Sequence, residues 1–145
     1  MVETKDIAAA ILAKLKADVA DVFYVEEINA QTTTFEEFLL GVQLPSIAVG
    51  YLGSDFQTGD ESGELTLRTG SFAVIVIHED IRGYVMAMNE TGGIQEILEA
   101  CVTSLKGQTL GLSLASQLRP ESERPLVAVP GRIAWQQVWN VDYYN

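Results

Sequence analysis

The sequence predicts an α+β fold: one domain over residues 1–145, with a mostly antiparallel sheet of about five strands and two main helices packed on it. Three observations predict it. The elements alternate in the order helix, strand, short helix, two strands, helix, two strands. Residues 92–108 carry one continuous apolar stripe at helical spacing. Phe72 to Ile77 is apolar on both faces of an extended chain, which marks the middle of a sheet covered on both sides.

Residues 3–18 read as the first helix. Ile7, Ile11 and Leu15 recur every four residues, and Ala8, Leu12 and Val19 widen the stripe. Glu3 and Asp6 open it and Lys14 and Lys16 lie near its end, as the helix dipole favours. "DVFYVEEI" (21–28) is rich in β-branched and aromatic residues and reads as a strand. In "TTTFEEFLL" (32–40), Thr33 with Glu36 or Thr34 with Glu37 can form a capping box, so a short helix begins there. Gly41 ends it.

"PSIAVGYLG" (45–53) is a strand opened by Pro45 and closed by Gly53. "SDFQTGDESGE" (54–64) is a polar hairpin loop. "LTLRTGSFAVIVIHE" (65–79) is the longest strand. Residues 80–90 form a helical turn or a loop. In the second main helix, 92–108, Ile94, Ile97, Leu98, Cys101, Val102 and Leu105 share the apolar stripe, and Gly107 stops it. Two strands end the chain, 123–131 and 132–144. In the last, Ile133, Trp135, Trp139, Val141 and Tyr143 share one face, with Gln137 as a polar exception.

With 145 residues, 48% of them apolar, the chain is large enough for a core that needs neither metal nor disulfide. Cys101 is the single cysteine, which excludes an intrachain disulfide and a cysteine-based zinc site and fits a reducing compartment. The amphipathic, early-charged start differs from a secretory signal. The longest apolar run is far short of the ~20 residues of a membrane span, so a soluble protein is expected. Twenty acids stand against nine bases, a net charge of −11. The bases are scattered, which argues against a nucleic-acid-binding surface.

His78, Glu79 and Asp80 end the longest strand and are the sharpest candidates for a metal site or an acid–base pair. Successive strand residues diverge, so His78 and Glu79 do not converge on one ion. No second histidine exists to complete a site. The solvent-facing end of a core strand explains the trio more simply. Cys101 lies on the apolar stripe and reads as a buried structural thiol. There is no G-x-S-x-G elbow and no phosphate loop. The acids Glu96 and Glu99 read as surface helix residues. No catalytic group, cofactor or metal is therefore assigned. Trp135, Trp139 and Tyr143 serve either as core or as an interface, since Trp and Tyr join large apolar area to a polar tip. Tyr144 and Asn145 end the sequence without a polar tail, and a strand running that far is expected to be held, as by a neighbouring subunit.

"LPSIAVGYLGS", "RTGSFAVIVI", Arg82–Gly83, "GIQEILEACVTSLKGQTLGL", "ESERPLVA" and "GRIAWQQVWNVDYY" together resemble the phage Mu-type small tail proteins assigned as tail terminators. Each segment alone is unspecific; their order and spacing over roughly residues 5–144 carry the resemblance. It implies a structural, non-enzymatic virion protein of a contractile-tailed phage, prophage or related particle. The subunit assembles in the bacterial host cytoplasm as a homo-oligomeric ring, commonly a hexamer. That ring caps the head-proximal end of the tail tube, stops its growth and offers a docking surface to the neck. The implied partners are further copies of the chain, the tube and sheath proteins, and a head-completion or neck protein. DNA passes through the lumen without specific binding, as an acidic wall would favour. The family carries no catalytic motif. Subunit contacts are assigned on physical grounds to Phe56, Asp60, Glu61 and Glu64 in the acidic loop, His78 and Glu79 at the strand end, and Trp135, Trp139, Tyr143 and Tyr144. A head–tail connector, or another small acidic binding module, is the competing reading.

Overall fold

The computed structural model describes residues 2–25, 34–57, 66–79 and 93–145. These form α1 (Thr4–Asp18), β1 (Phe23–Val25), α2 (Phe35–Gly41), β2 (Ser46–Phe56) and β3 (Leu67–Glu79), then α3 (Ile94–Leu105), β4 (Arg119–Val129) and β5 (Arg132–Tyr144). The five strands make one sheet in the order β1-β2-β3-β5-β4. β1 runs parallel to β2 and every other pair is antiparallel. The α+β class and the five strands agree with the sequence reading.

β3 is central, and each residue from Phe72 to Ile77 is buried. Alternation sends Phe72, Val74 and Val76 to one side, where Ile7, Ile11 and Leu15 of α1 and Ile94, Leu98, Cys101 and Leu105 of α3 cover them. Ala73, Ile75 and Ile77 point the other way, onto Leu39 of α2, Ala48 and Ala134. A strand with both faces covered must be apolar throughout, which is the pattern the sequence carries. Fully burying each large side chain stabilises the fold by about 1.5–3 kcal/mol.

The helix ends have identifiable partners. Thr34 and Glu37 form the predicted capping box: Glu37 N donates to Thr34 Oγ1 at 3.2 Å and Thr34 N to Glu37 Oε2 at 3.4 Å. Thr33 lies outside the described residues. At the other end of α2, Arg132 Nη1 donates to the carbonyls of Leu39 at 2.7 Å and Val42 at 2.6 Å. A cation there suits the negative end of the helix dipole. The Tyr24 hydroxyl lies 2.7 Å from Leu15 O and 2.6 Å from Val19 O and shares its proton between them, closing α1.

Two boundaries differ from expectation. β2 continues past Gly53 to Phe56 because a bulge between Tyr51 and Gly53 absorbs the extra residue, with Gly53 at φ 129°. β4 begins at Arg119 instead of 123 and contains Pro120 and Pro125. Its register shifts at both prolines, and an edge strand tolerates them because one side needs no ladder. The expected strand residues 26–28 and the turn at 80–90 lie outside the described residues.

Candidate functional site

β3 ends where the polar trio begins. His78 is half-buried opposite Ile133, and its Nδ1 sits 3.0 Å from Glu79 O. Glu79 is exposed, opposite Arg132 on the next strand. The two side chains leave the strand on opposite faces, as the alternation requires. Asp80 lies outside the described residues, as do Asp60, Glu61 and Glu64. Among the described residues no group of three or more His, Cys, Asp or Glu side chains is placed to hold a metal ion.

The aromatic face of β5 is core. Trp139 and Tyr143 are completely buried within the subunit itself. This corrects their assignment as contact residues, because a side chain enclosed by its own chain offers no surface to a neighbour. Trp135 is half-buried and packs against the same core. Gln137 explains its own presence there. Its Nε2 donates to Leu98 O at 2.9 Å and to Glu123 Oε1 at 2.8 Å, and its Oε1 accepts from Trp139 Nε1 at 3.1 Å. The amide satisfies the buried indole and ties the sheet to α3.

Tyr143 organises one end of the helix-covered face. Its hydroxyl lies 2.7 Å from Thr4 Oγ1 and 3.4 Å from Ser54 Oγ, and Ser54 Oγ in turn bonds the Tyr51 hydroxyl. The ring lies where residue 70 has no side chain: a Cβ on Gly70 would stand 2.8 Å from Tyr143 Cε1. The Arg68 guanidinium lies 4.7 Å from the Phe56 ring centroid and 5.8 Å from that of Tyr143. Tyr51 packs on Phe72 with centroids 5.4 Å apart.

Cys101 is buried on α3, and burial first, then the negative field of Glu123, pushes its thiol up to about 12. It is therefore a protonated core residue at physiological pH, as its place on the apolar stripe indicates. Glu96 and Glu99 are exposed on the same helix.

The exposed apolar side chains concentrate on β2. Phe56 is 61% exposed, Leu52 51% and Tyr51 45%. Phe56 and the exposed Tyr144 stand at the surface where sequence reasoning placed them, whereas Tyr51, Leu52 and Arg68 were missed. Their signal was present: apolar residues continue to an edge where a solvated strand alternates with polar ones. What the arrangement offers chemically is an exposed stretch of β2 that bears aromatic side chains beside a guanidinium.

No protein-family model matches the chain. No curated protein matches it either. Among solved structures, the chain is similar to one from the virion of a native gene transfer agent particle, at 16% identity. The match covers 96% of this chain and 95% of that chain with a TM-score of 0.61. The two share their fold from end to end.

Proposed function

We propose that this chain is a structural subunit of a phage-like virion and, within it, a tail terminator. It forms a ring on the head-proximal end of the tail tube, stops tube growth and presents a surface to the neck. The observation that carries the reading is the whole-length likeness to a virion chain. The ordered resemblance of residues 5–144 to Mu-type small tail proteins supports the finer assignment.

The chemistry is that of assembly. The buried side chains hold one sheet, Cys101 is protonated and enclosed, and Tyr51, Leu52 and Phe56 are exposed on β2. A net charge of −11 suits a conduit through which a polyanion slides, since carboxylates within about one Debye length, ~8–10 Å, repel its phosphates.

Assembly of particles with the chain omitted tests the reading. A terminator predicts tubes of uncontrolled length that fail to join heads. Tubes of normal length that merely lack heads would identify a neck connector instead.

A further inference from the structure

Residues 108–118 cross from α3 to β4 as an irregular strap whose ends meet. Gly107 N donates to Leu118 O at 3.0 Å and Leu118 N to Gln108 O at 2.9 Å. A loop closed at its base in this way is an Ω-type unit. Its residues alternate. Leu110, Leu112 and Leu114 are half-buried against the helix-side core, whereas Thr109, Gly111, Ser113 and Ala115 are exposed. Leu110 has φ 58° and Gly111 φ 70°, and Leu112 N closes the turn on Thr109 O at 2.9 Å. A leucine in the left-handed region is strained, and the packing of its side chain on the core holds it there.

One residue fastens the strap to the sheet. The ladder between β4 and β5 begins at Arg119 opposite Asn140, so Asp142 presents the next outward backbone groups of β5. Ala115 N and Ser116 N donate to Asp142 O at 2.8 and 3.2 Å, and Asp142 N donates to Ser116 Oγ at 2.8 Å. Among the described residues, every backbone hydrogen bond from 108–118 to a strand ends on Asp142. The side chains close a ring on the same point. Arg119 Nη1 donates to Ser116 Oγ at 3.0 Å and Arg119 Nη2 to Asp142 Oδ1 at 3.0 Å. That carboxylate oxygen also accepts from Thr69 Oγ1 at 2.6 Å.

We propose that residues 108–118 open as a unit while the sheet stays folded, and that the Asp142 carboxylate is the latch that holds them shut. The carboxylate fixes Arg119, Arg119 fixes the Ser116 hydroxyl, and that hydroxyl occupies the Asp142 N–H, so neutralising one group loosens the whole ring. A segment with half-buried side chains and bonds that converge on one point opens below the free energy of global unfolding. Release of the strained Leu110 backbone favours the open form. Opening uncovers the three leucines and the backbone of β5 at Asp142. The charges around the latch fix its sign. Arg119 faces Asp142 from β4, Thr69 of β3 is uncharged, Asp55 of β2 lies beyond Thr69 in the same row, and Lys106 flanks the strap. Burial opposes ionisation of Asp142, but Thr69 and Arg119 outweigh it and hold the carboxyl below its usual value. The latch is therefore charged and closed at neutral pH. It loosens as pH falls through the folded value, which lies below the ordinary carboxyl value of about 3.9.

Amide hydrogen exchange on the full chain, corrected for intrinsic rates, tests the latch between about pH 3 and about pH 7. At neutral pH the amides of Ala115, Ser116 and Leu118 are expected to be protected roughly tenfold less than those of β3, or weaker still. Relative to β3, their protection falls by about a further tenfold on acidification, the scale of a lost charge-assisted hydrogen bond. Asp142→Asn brings the strap to its acid value already at neutral pH and removes the pH step. Arg119→Gln, which keeps the carboxylate, lowers strap protection at neutral pH and leaves that of β3 unchanged. Strap amides that exchange in step with β3 overturn the proposal, because the strap would then open only with the whole fold. A pH step of unchanged size in Asp142→Asn overturns Asp142 as the latch. Should Asp142→Asn fail to fold, Arg119→Gln decides alone: strap protection equal to the parent's overturns the proposal.

Discussion

Gln137 Nε2 donates to the carbonyl oxygen of Leu98 at 2.9 Å, joining β5 to α3 through the centre of the core. The same amide accepts from Trp139 Nε1. Gln137→Leu keeps the volume and leaves the buried indole N–H without its acceptor. An unmade buried hydrogen bond costs about 1–3 kcal/mol, so urea unfolding is expected to show a loss of that size. A stability equal to the parent's would show that the amide is dispensable.

Gly70 makes room for Tyr143. Gly70→Ala places a Cβ 2.8 Å from Tyr143 Cε1, closer than side chains approach. The ring is held by its hydroxyl contacts and has little freedom to retreat. Overpacking of this kind costs about 1–3 kcal/mol, read as a lower denaturation midpoint with an unchanged slope. A neutral Gly70→Ala would mean that the β5 end shifts freely.

Cys101 tests burial chemically. With its thiol held near 12, the native protein is expected to resist iodoacetamide at pH 8 and to react on unfolding. Cys101→Ala should cost roughly 1–2 kcal/mol and Cys101→Ser more, because the hydroxyl is buried without an assured partner. Both variants should still assemble once folded. Rapid native alkylation, or a folded Cys101→Ala that fails to assemble, would assign the thiol a role beyond packing.

Asp142 gives the stability a definite pH dependence. Burial opposes its ionisation, but the hydrogen bond from Thr69 at 2.6 Å and the Arg119 pair at 3.0 Å outweigh it and hold its carboxyl below the usual value. A lowered folded pKa stabilises the native state above the unfolded pKa, about 3.9, and that contribution fades as pH falls through the folded value. The stability gap between the parent and Thr69→Val is therefore expected to be full at neutral pH and to narrow below about pH 4. A gap that widens in acid would contradict the assignment.

What was legible in the sequence is what periodicity encodes. Ile7, Ile11 and Leu15 marked α1, and the unbroken apolar run of β3 marked a strand covered on both sides. The Thr34–Glu37 capping box was readable because its chemistry is local. The start of β4 was hidden by Pro120 and Pro125, which read as loop until the edge position of the strand is known. The bulge at Gly53 hid the end of β2 for the same kind of reason, since a glycine looks like a terminator when it is a kink. Trp139 and Tyr143 left both core and interface open, because period alone gives the shared face and not what lies over it. The strand order itself was invisible in the sequence, as β4's place at the edge of the sheet is not written locally.

The central claim is a single ring at the upper end of the tail tube, and imaging of assembled tails with this chain labelled tests it most directly. The account predicts one layer of the protein at the head-proximal end of each tube and none along its length. Label distributed along the tube would contradict it.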